Sequence, residues 1–168
     1  MDLLLIFVPI ITLLYYKKNA VKVFFELGFK KIPLKDLIVK GFFILVLMFV
    51  VSFALNILFF IIGYNDLALV TETITSFPII IIVYLFTFKI LAEEIFFRGF
   101  LVKRIGIIAS SVIFGSMHLF YGSIVEVVGA TILGIILAYH FKKYNSIYPV
   151  LLAHFLYNLT GYVFAIMM

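Results

Sequence analysis

Glu93-Glu94-Ile95-Phe96-Phe97-Arg98 sets two carboxylates and a guanidinium inside a run that is otherwise apolar. Two later apolar runs each carry a histidine, in Phe114-Gly-Ser-Met-His118 and in His154-Phe-Leu-Tyr-Asn158. A carboxylate beside a neutral imidazole can hold a water molecule and accept its proton. A second imidazole, paired with an amide, supplies donors to an oxyanion. Glu93 with His118, and His154 with Asn158, thus make a set sufficient to hydrolyse a peptide bond without a covalent intermediate.

Such residues need a reason to sit in apolar surroundings. Each charge near the centre of a spanning helix costs about 2.5–3.5 kcal/mol, so three unpaired charges would cost roughly 8–10 kcal/mol. Glu94 and Arg98 are four apart on a helix and can pair, which reads as a structural, self-neutralising arrangement. Glu93 lies about 100° further round and needs another partner. Lys89, one turn earlier, can pair with it, snorkel to the interface, or meet Glu126.

The elements that must carry this set are membrane helices. Hydrophobic residues make up 66% of the 168 and charged residues only 12%, against about 25% charged in soluble domains. The chain has no cysteine, so it has neither a disulfide framework nor a thiolate metal site. Its net charge of +5 comes from lysines in short connections between apolar runs. That pattern fits anionic lipid head groups as partners, and not nucleic acid.

Six apolar runs are expected to cross the bilayer, at 2–16, 41–63, 77–102, 105–121, 123–141 and 147–167. The first is short for a hydrocarbon layer of about 30 Å. It does not resemble a signal peptide, since Asp2 precedes it and Lys17-Lys18 follow it. Lysine-rich segment 17–40, Lys103-Arg104 and Lys142-Lys143 alternate with a connection, 64–76, whose charges are Asp66 and Glu72. The positive-inside rule places the basic connections in the cytoplasm and both termini outside. Val21–Gly28 mixes apolar and charged residues and reads as a short interfacial helix, with Pro33 opening the next element.

Depth brings the polar residues together. Counting 1.5 Å per residue from the basic boundary puts Glu93 about 15 Å deep, His118 about 21 Å, His154 about 17 Å and Asn158 about 22 Å. Three separate helices thereby place carboxylate, imidazole and amide in one central slab. Elsewhere, His140 adjoins Lys142-Lys143 and reads as an interface residue. Gly129, Gly134 and Ala138 read as small residues for close helix packing. Tyr157 and Tyr162 read as packing or interface aromatics.

Glu93-Glu94-x-x-x-Arg98, Phe114-x-x-x-His118 and His154-x-x-x-Asn158, in that order and each in its own apolar run, resemble the three motifs of the CPBP intramembrane proteases. These are the type II CAAX prenyl endopeptidases and the bacterial Abi proteins. The resemblance covers about 77–167, a catalytic core of four helices within a single membrane domain, 1–168. It implies that Glu93 activates water with help from His118, that His154 and Asn158 stabilise the oxyanion, and that Glu94 and Arg98 support the first motif. The chain is shorter than the eukaryotic prenyl proteases and has fewer spans.

The fold expected is all-α, a polytopic bundle of about six transmembrane helices plus one interfacial helix. The function expected is endoproteolysis of a hydrophobic or lipidated peptide that enters from the cytoplasmic side or laterally. No cofactor is required in that reading. The alternative is a catalytic zinc held by Glu93, His118 and His154 with water as the fourth ligand, although the run His-Glu-x-x-His is absent. The rival class is a non-enzymatic immunity or scaffold protein, or a small transporter.

Overall fold

The computed structural model describes residues 2–17 and 19–167. Met1, Lys18 and Met168 lie outside the described residues, and with them half of the Lys17-Lys18 pair. The described residues form helices joined by short turns. The first four are α1 (Asp2–Lys17), α2 (Ala20–Glu26), α3 (Leu34–Ile61) and α4 (Leu67–Thr75). Asn19 caps α2, its side chain accepting from the Lys22 amide, and Pro33 stands at the entry to α3. Proline fits there because the first helical N–H groups have no intrahelical acceptor.

Residues 79–116 are then helical except at Gly106, whose φ of 85° and ψ of 175° break the run. Only glycine takes such a conformation readily. The rings of Phe97 and Phe114 have centroids 5.0 Å apart, whereas an unbroken helix would hold them about 25 Å apart. The chain therefore reverses at Gly106 into two arms, α5 (79–105) and α6 (107–116). The second arm continues as a 3-10 turn, Met117–Tyr121. Two longer helices follow, α7 (Ile124–Tyr144) and α8 (Tyr148–Met167).

Three helices, α3, α7 and α8, are long and apolar enough to cross a membrane. A fourth candidate is α4 together with Ile79–Tyr121, two parts that meet at 111°. By length and composition this supports three or four spans, against the six expected. The physical reason is the brevity of α1 and of the 107–121 arm, each about 22–24 Å at 1.5 Å per residue, below the usual hydrocarbon thickness. The acidic connection also differs from expectation, because most of it is the helix α4.

The connections sort by charge between the two ends of the bundle. At the basic end the Ile147 amide donates to Gly28 O at 2.8 Å and Ser146 Oγ to Lys30 O at 3.0 Å. Lys103 donates to Glu26 O, and Arg104 lies 3.9 Å from the Glu26 carboxylate. These bonds gather α2, the 103–104 turn and the 145–147 turn on one face. An apolar core that includes Leu13, Val23, Leu27, Ile44, Phe141 and Val150 lies with them.

At the opposite end Asp66 binds the start of α7. It accepts from Ser123 Oγ at 2.5 Å and from the amides of Ile124 and Val125 at 2.6 and 3.3 Å. These amides belong to the first turn, which has no intrahelical acceptors. Burial pushes the Asp66 carboxyl up, and the hydrogen bonds from Ser123, Ile124, Tyr64 and Val125 outweigh it, holding the group below the usual carboxylate range.

α6 packs tightly on α7. A methyl group on Gly115 would stand 1.9 Å from Thr131 Oγ1, and one on Gly134 would stand 3.1 Å from Phe114. Gly134 and the fully buried Ala138 thus permit close packing. Gly129 does not, since nothing lies within 4 Å of a carbon added there. His140 lies near the basic boundary, but it too departs from expectation. It is buried, donates from Nδ1 to Ile136 O at 2.9 Å, and meets the rings of Phe43 and Tyr144.

Candidate active site

Glu93 and Glu94 sit at a change of helical winding. Leu85–Lys89 and Glu94–Leu101 are wound as π-helix, with the α-helical turn Ile90–Glu93 between them. Such wide turns recur at functional sites because they re-aim side chains without ending the helix. Glu93 and Glu94, about 100° apart round the helix, point in different directions.

Glu93 faces a cavity of about 310 Å³. Lys89 pairs with it directly, the first of the three options for that lysine. Glu94 is turned away and fully buried. Its Oε1 lies 2.8 Å from His154 Nδ1, and its Oε2 lies 3.5 Å from Arg98 Nε. The expectation of a self-neutralising Glu94–Arg98 pair is therefore too narrow, because the same carboxylate also holds a histidine.

The histidine tautomers follow from their partners. An ionised carboxylate only accepts, so His154 Nδ1 donates to Glu94. The other nitrogen, Nε2, stands 4.0 Å from Glu93 Oε2. His154 thus bridges the two glutamates. His118 Nδ1 lies 2.9 Å from Phe114 O. A carbonyl also only accepts, so in the neutral ring Nε2 of His118 is left as a proton acceptor. That nitrogen and the Glu93 carboxylate are complementary to the two hydrogens of one water molecule.

Phe114 organises these groups. Its ring lies 4.2 Å from the Arg98 guanidinium carbon and meets the rings of Phe97, His118 and His154 at 5.0, 4.9 and 6.1 Å. Arg98 is buried and rests on that ring face. A cation on an aromatic face gains about 2 kcal/mol or more when desolvated, which offsets part of its burial. Phe114 was visible in the sequence as the first residue of a motif. Its contact with His118, four residues on, follows from helical spacing; its contact with His154, 40 residues on in another helix, has no spacing to reveal it.

Glu93, His118, His154 and Asn158 all line the cavity. Glu94 and Arg98 do not, and lie behind it. Tyr157 and Tyr162 also face it, and the Tyr157 hydroxyl meets Ser52 Oγ at 2.7 Å, tying α8 to α3. Lys89, Tyr121 and Glu126 complete the polar lining near the histidines. Among the described residues no three His, Asp or Glu side chains stand together as a metal-ligand set, so Glu93, His118 and His154 do not form one as they stand.

The cavity is closed toward the basic end, where Met48, Leu133 and Leu137 are buried, and open toward the other, where Asn56, Thr71 and Gly161 are exposed.

The family model described as Type II CAAX prenyl endopeptidase Rce1-like matches residues 75–160, just over half of the chain and the stretch that holds Glu93, Glu94, Arg98, His118, His154 and Asn158. No curated protein and no solved structure matches the chain. The match and the apolar helices point to a protease of the CAAX type within a multi-pass membrane protein, whose substrate is a membrane-associated peptide. On this evidence the chain belongs to the Rce1-like family of type II CAAX prenyl endopeptidases.

Proposed function

We propose that this protein is an intramembrane endopeptidase in which Glu93 and His118 activate water while His154 and Asn158 stabilise the oxyanion. The substrate is a hydrophobic or lipidated peptide, with a prenylated CAAX-type terminus as the first to test. What carries the reading is that four residues from three separate helical elements line one cavity.

In this mechanism a water molecule donates to Glu93 and to His118 Nε2. Glu93 takes a proton as the oxygen adds to the scissile carbonyl carbon, and the carbonyl oxygen becomes an oxyanion. The Asn158 amide donates to it. His154 donates from Nε2 when its ring carries a second proton, taken up from solvent before the cycle and not consumed in it, and that imidazolium sits between two carboxylates, Glu94 and Glu93. Collapse of the tetrahedral intermediate breaks the C–N bond, and Glu93 returns its proton to the leaving amine. Lys89 holds the Glu93 charge between turnovers. No step requires a metal.

The reading also keeps six passes, with the basic connections in the cytoplasm and both termini outside. The short passes, α1 and 107–121, cross by local thinning of the bilayer. The test of the chemistry is hydrolysis of a prenylated CAAX peptide by the full chain in liposomes made up in ¹⁸O-water. One ¹⁸O atom in the new carboxylate, with no adduct trapped by hydroxylamine, supports direct attack by water. A hydroxylamine-trapped acyl product would point to a covalent intermediate instead.

A further inference from the structure

A second hollow lies beside the cavity, between α5, α8 and the first turn of α3. It holds about 400 Å³, and its walls include Leu37, Leu91, Leu151, Leu152 and Phe155. These side chains are half-buried, so the hollow is an open groove and not a sealed core. Among the described residues none that lines it is charged. The Thr87 hydroxyl on its wall is already used, donating to Val83 O at 2.7 Å.

The groove has a direction. Tyr148, Leu151, Leu152 and Phe155 recur at three- and four-residue spacing and form one face of α8. That face begins five residues after Lys143, at the basic end, and runs inward about 10 Å to Phe155 at 1.5 Å per residue. Two turns further on, the same face carries Tyr162, which lines the cavity. Phe86 stands at the junction. Among the described residues it alone lines both the groove and the cavity. Its ring meets Phe155 on the groove side at 6.3 Å and Tyr162 on the cavity side at 5.7 Å. It belongs to the π-helical turn Leu85–Lys89, and Glu93 is seven residues on.

We propose that the groove holds the lipid chain of the substrate and that Phe86 is the specificity-determining residue at the seam through which the attached peptide reaches Glu93. The inference rests on the protease reading for the identity of the substrate. A lipid on a residue next to the scissile bond has to leave the cavity close to Glu93, and Phe86 is the wall residue that the cavity shares with an apolar space. Bilayer tails are as apolar as the groove, so transfer into it contributes little. What the groove adds is place. A chain lying there tethers its peptide beside the seam and raises the local concentration at the site. It also passes round the closed end of the cavity, where Met48, Leu133 and Leu137 are packed.

The test reads position without turnover, in the full chain carrying Glu93→Gln in liposomes. One CAAX-type peptide carries a benzophenone at the end of its prenyl chain. A second carries a plain prenyl chain and a benzoylphenylalanine beside the scissile bond. The chain label is expected on 86–91 and 148–155, and the peptide label on cavity residues such as Tyr162. Leu151→Trp fills the groove and should lower both labels about tenfold, a small part of what tethering can contribute. Phe86→Trp should lower the peptide label and leave the chain label in place, because it narrows the seam and not the groove. A chain label elsewhere or absent, or one indifferent to Leu151→Trp, overturns the groove. A peptide label indifferent to Phe86→Trp overturns the seam. Labels as expected on a protein whose wild type cleaves nothing would sink the protease reading and leave this inference standing.

Discussion

His154 Nδ1 lies 2.8 Å from Glu94 Oε1, and its other nitrogen lies 4.0 Å from Glu93 Oε2. One imidazole joins two neighbouring carboxylates that face opposite ways. Glu94 thereby fixes both the tautomer and the orientation of a group assigned to the oxyanion, and it does so from outside the cavity.

This relationship separates two roles of Glu94. Glu94→Gln leaves Arg98 a buried charge without its counter-ion, and breaking such a pair costs about 3–5 kcal/mol. Replacing both partners, as in Glu94→Gln with Arg98→Met, is expected to recover most of that stability, since apolar replacement of a buried pair is often neutral. Activity is expected to stay low in the double variant because His154 has lost its carboxylate. Thermal melts in detergent, read beside turnover, check this. Full recovery of both would make Glu94 structural only.

Two glycines one face apart on neighbouring helices should respond in opposite ways. Gly115→Ala forces a methyl to 1.9 Å from Thr131 Oγ1, and overpacking of this kind costs about 1–3 kcal/mol. It should also push His118 away from Glu93 and lower turnover. Gly129→Ala meets nothing and should stabilise α7 by about 0.5–1 kcal/mol through helix propensity. Melting temperatures of the two variants decide it.

The Asp66 bridge should depend on pH. Its folded carboxyl is held below the ordinary value, so its contribution is present at neutral pH and is lost as pH falls through the folded value, below the usual carboxylate range. Asp66→Ala should cost about 1 kcal/mol at neutral pH, as loss of a helix cap does. The difference from wild type should vanish in acid. Melts of both proteins across that range provide the check, and a gap that persists in acid would mean that the carboxylate charge is not what holds the two segments together.

Much of this was legible in the sequence, and the parts that were not share a cause. Helical character followed from long apolar runs, and the common depth of Glu93, His118, His154 and Asn158 followed from counting residues to Lys103 and Lys143. What counting cannot give is rotation. The π-helical turns around Glu93 set which carboxylate meets His154, and no residue type announces them. His140 reads as an interface residue by position, yet its face of α7 points toward Phe43. Each miss arises where a distant segment decides what a local pattern leaves open.

Chelation addresses the alternative chemistry. With Glu93 and His118 activating water, activity is expected to survive exhaustive removal of divalent ions. Loss of activity that zinc alone restores would move Glu93, His118 and His154 from base and donors to ligands.

The most direct measurement concerns Glu93 itself. Glu93→Gln preserves shape and removes the base, and general base catalysis contributes about 10²–10⁴ in rate. Single-turnover cleavage of a peptide that the wild-type chain hydrolyses in liposomes should slow by that factor, with Asn158→Ala slower than wild type by about 10²–10³ as for a lost oxyanion donor. A Glu93→Gln protein that cleaves the same peptide at the wild-type rate would contradict the assignment of Glu93 as the water-activating base.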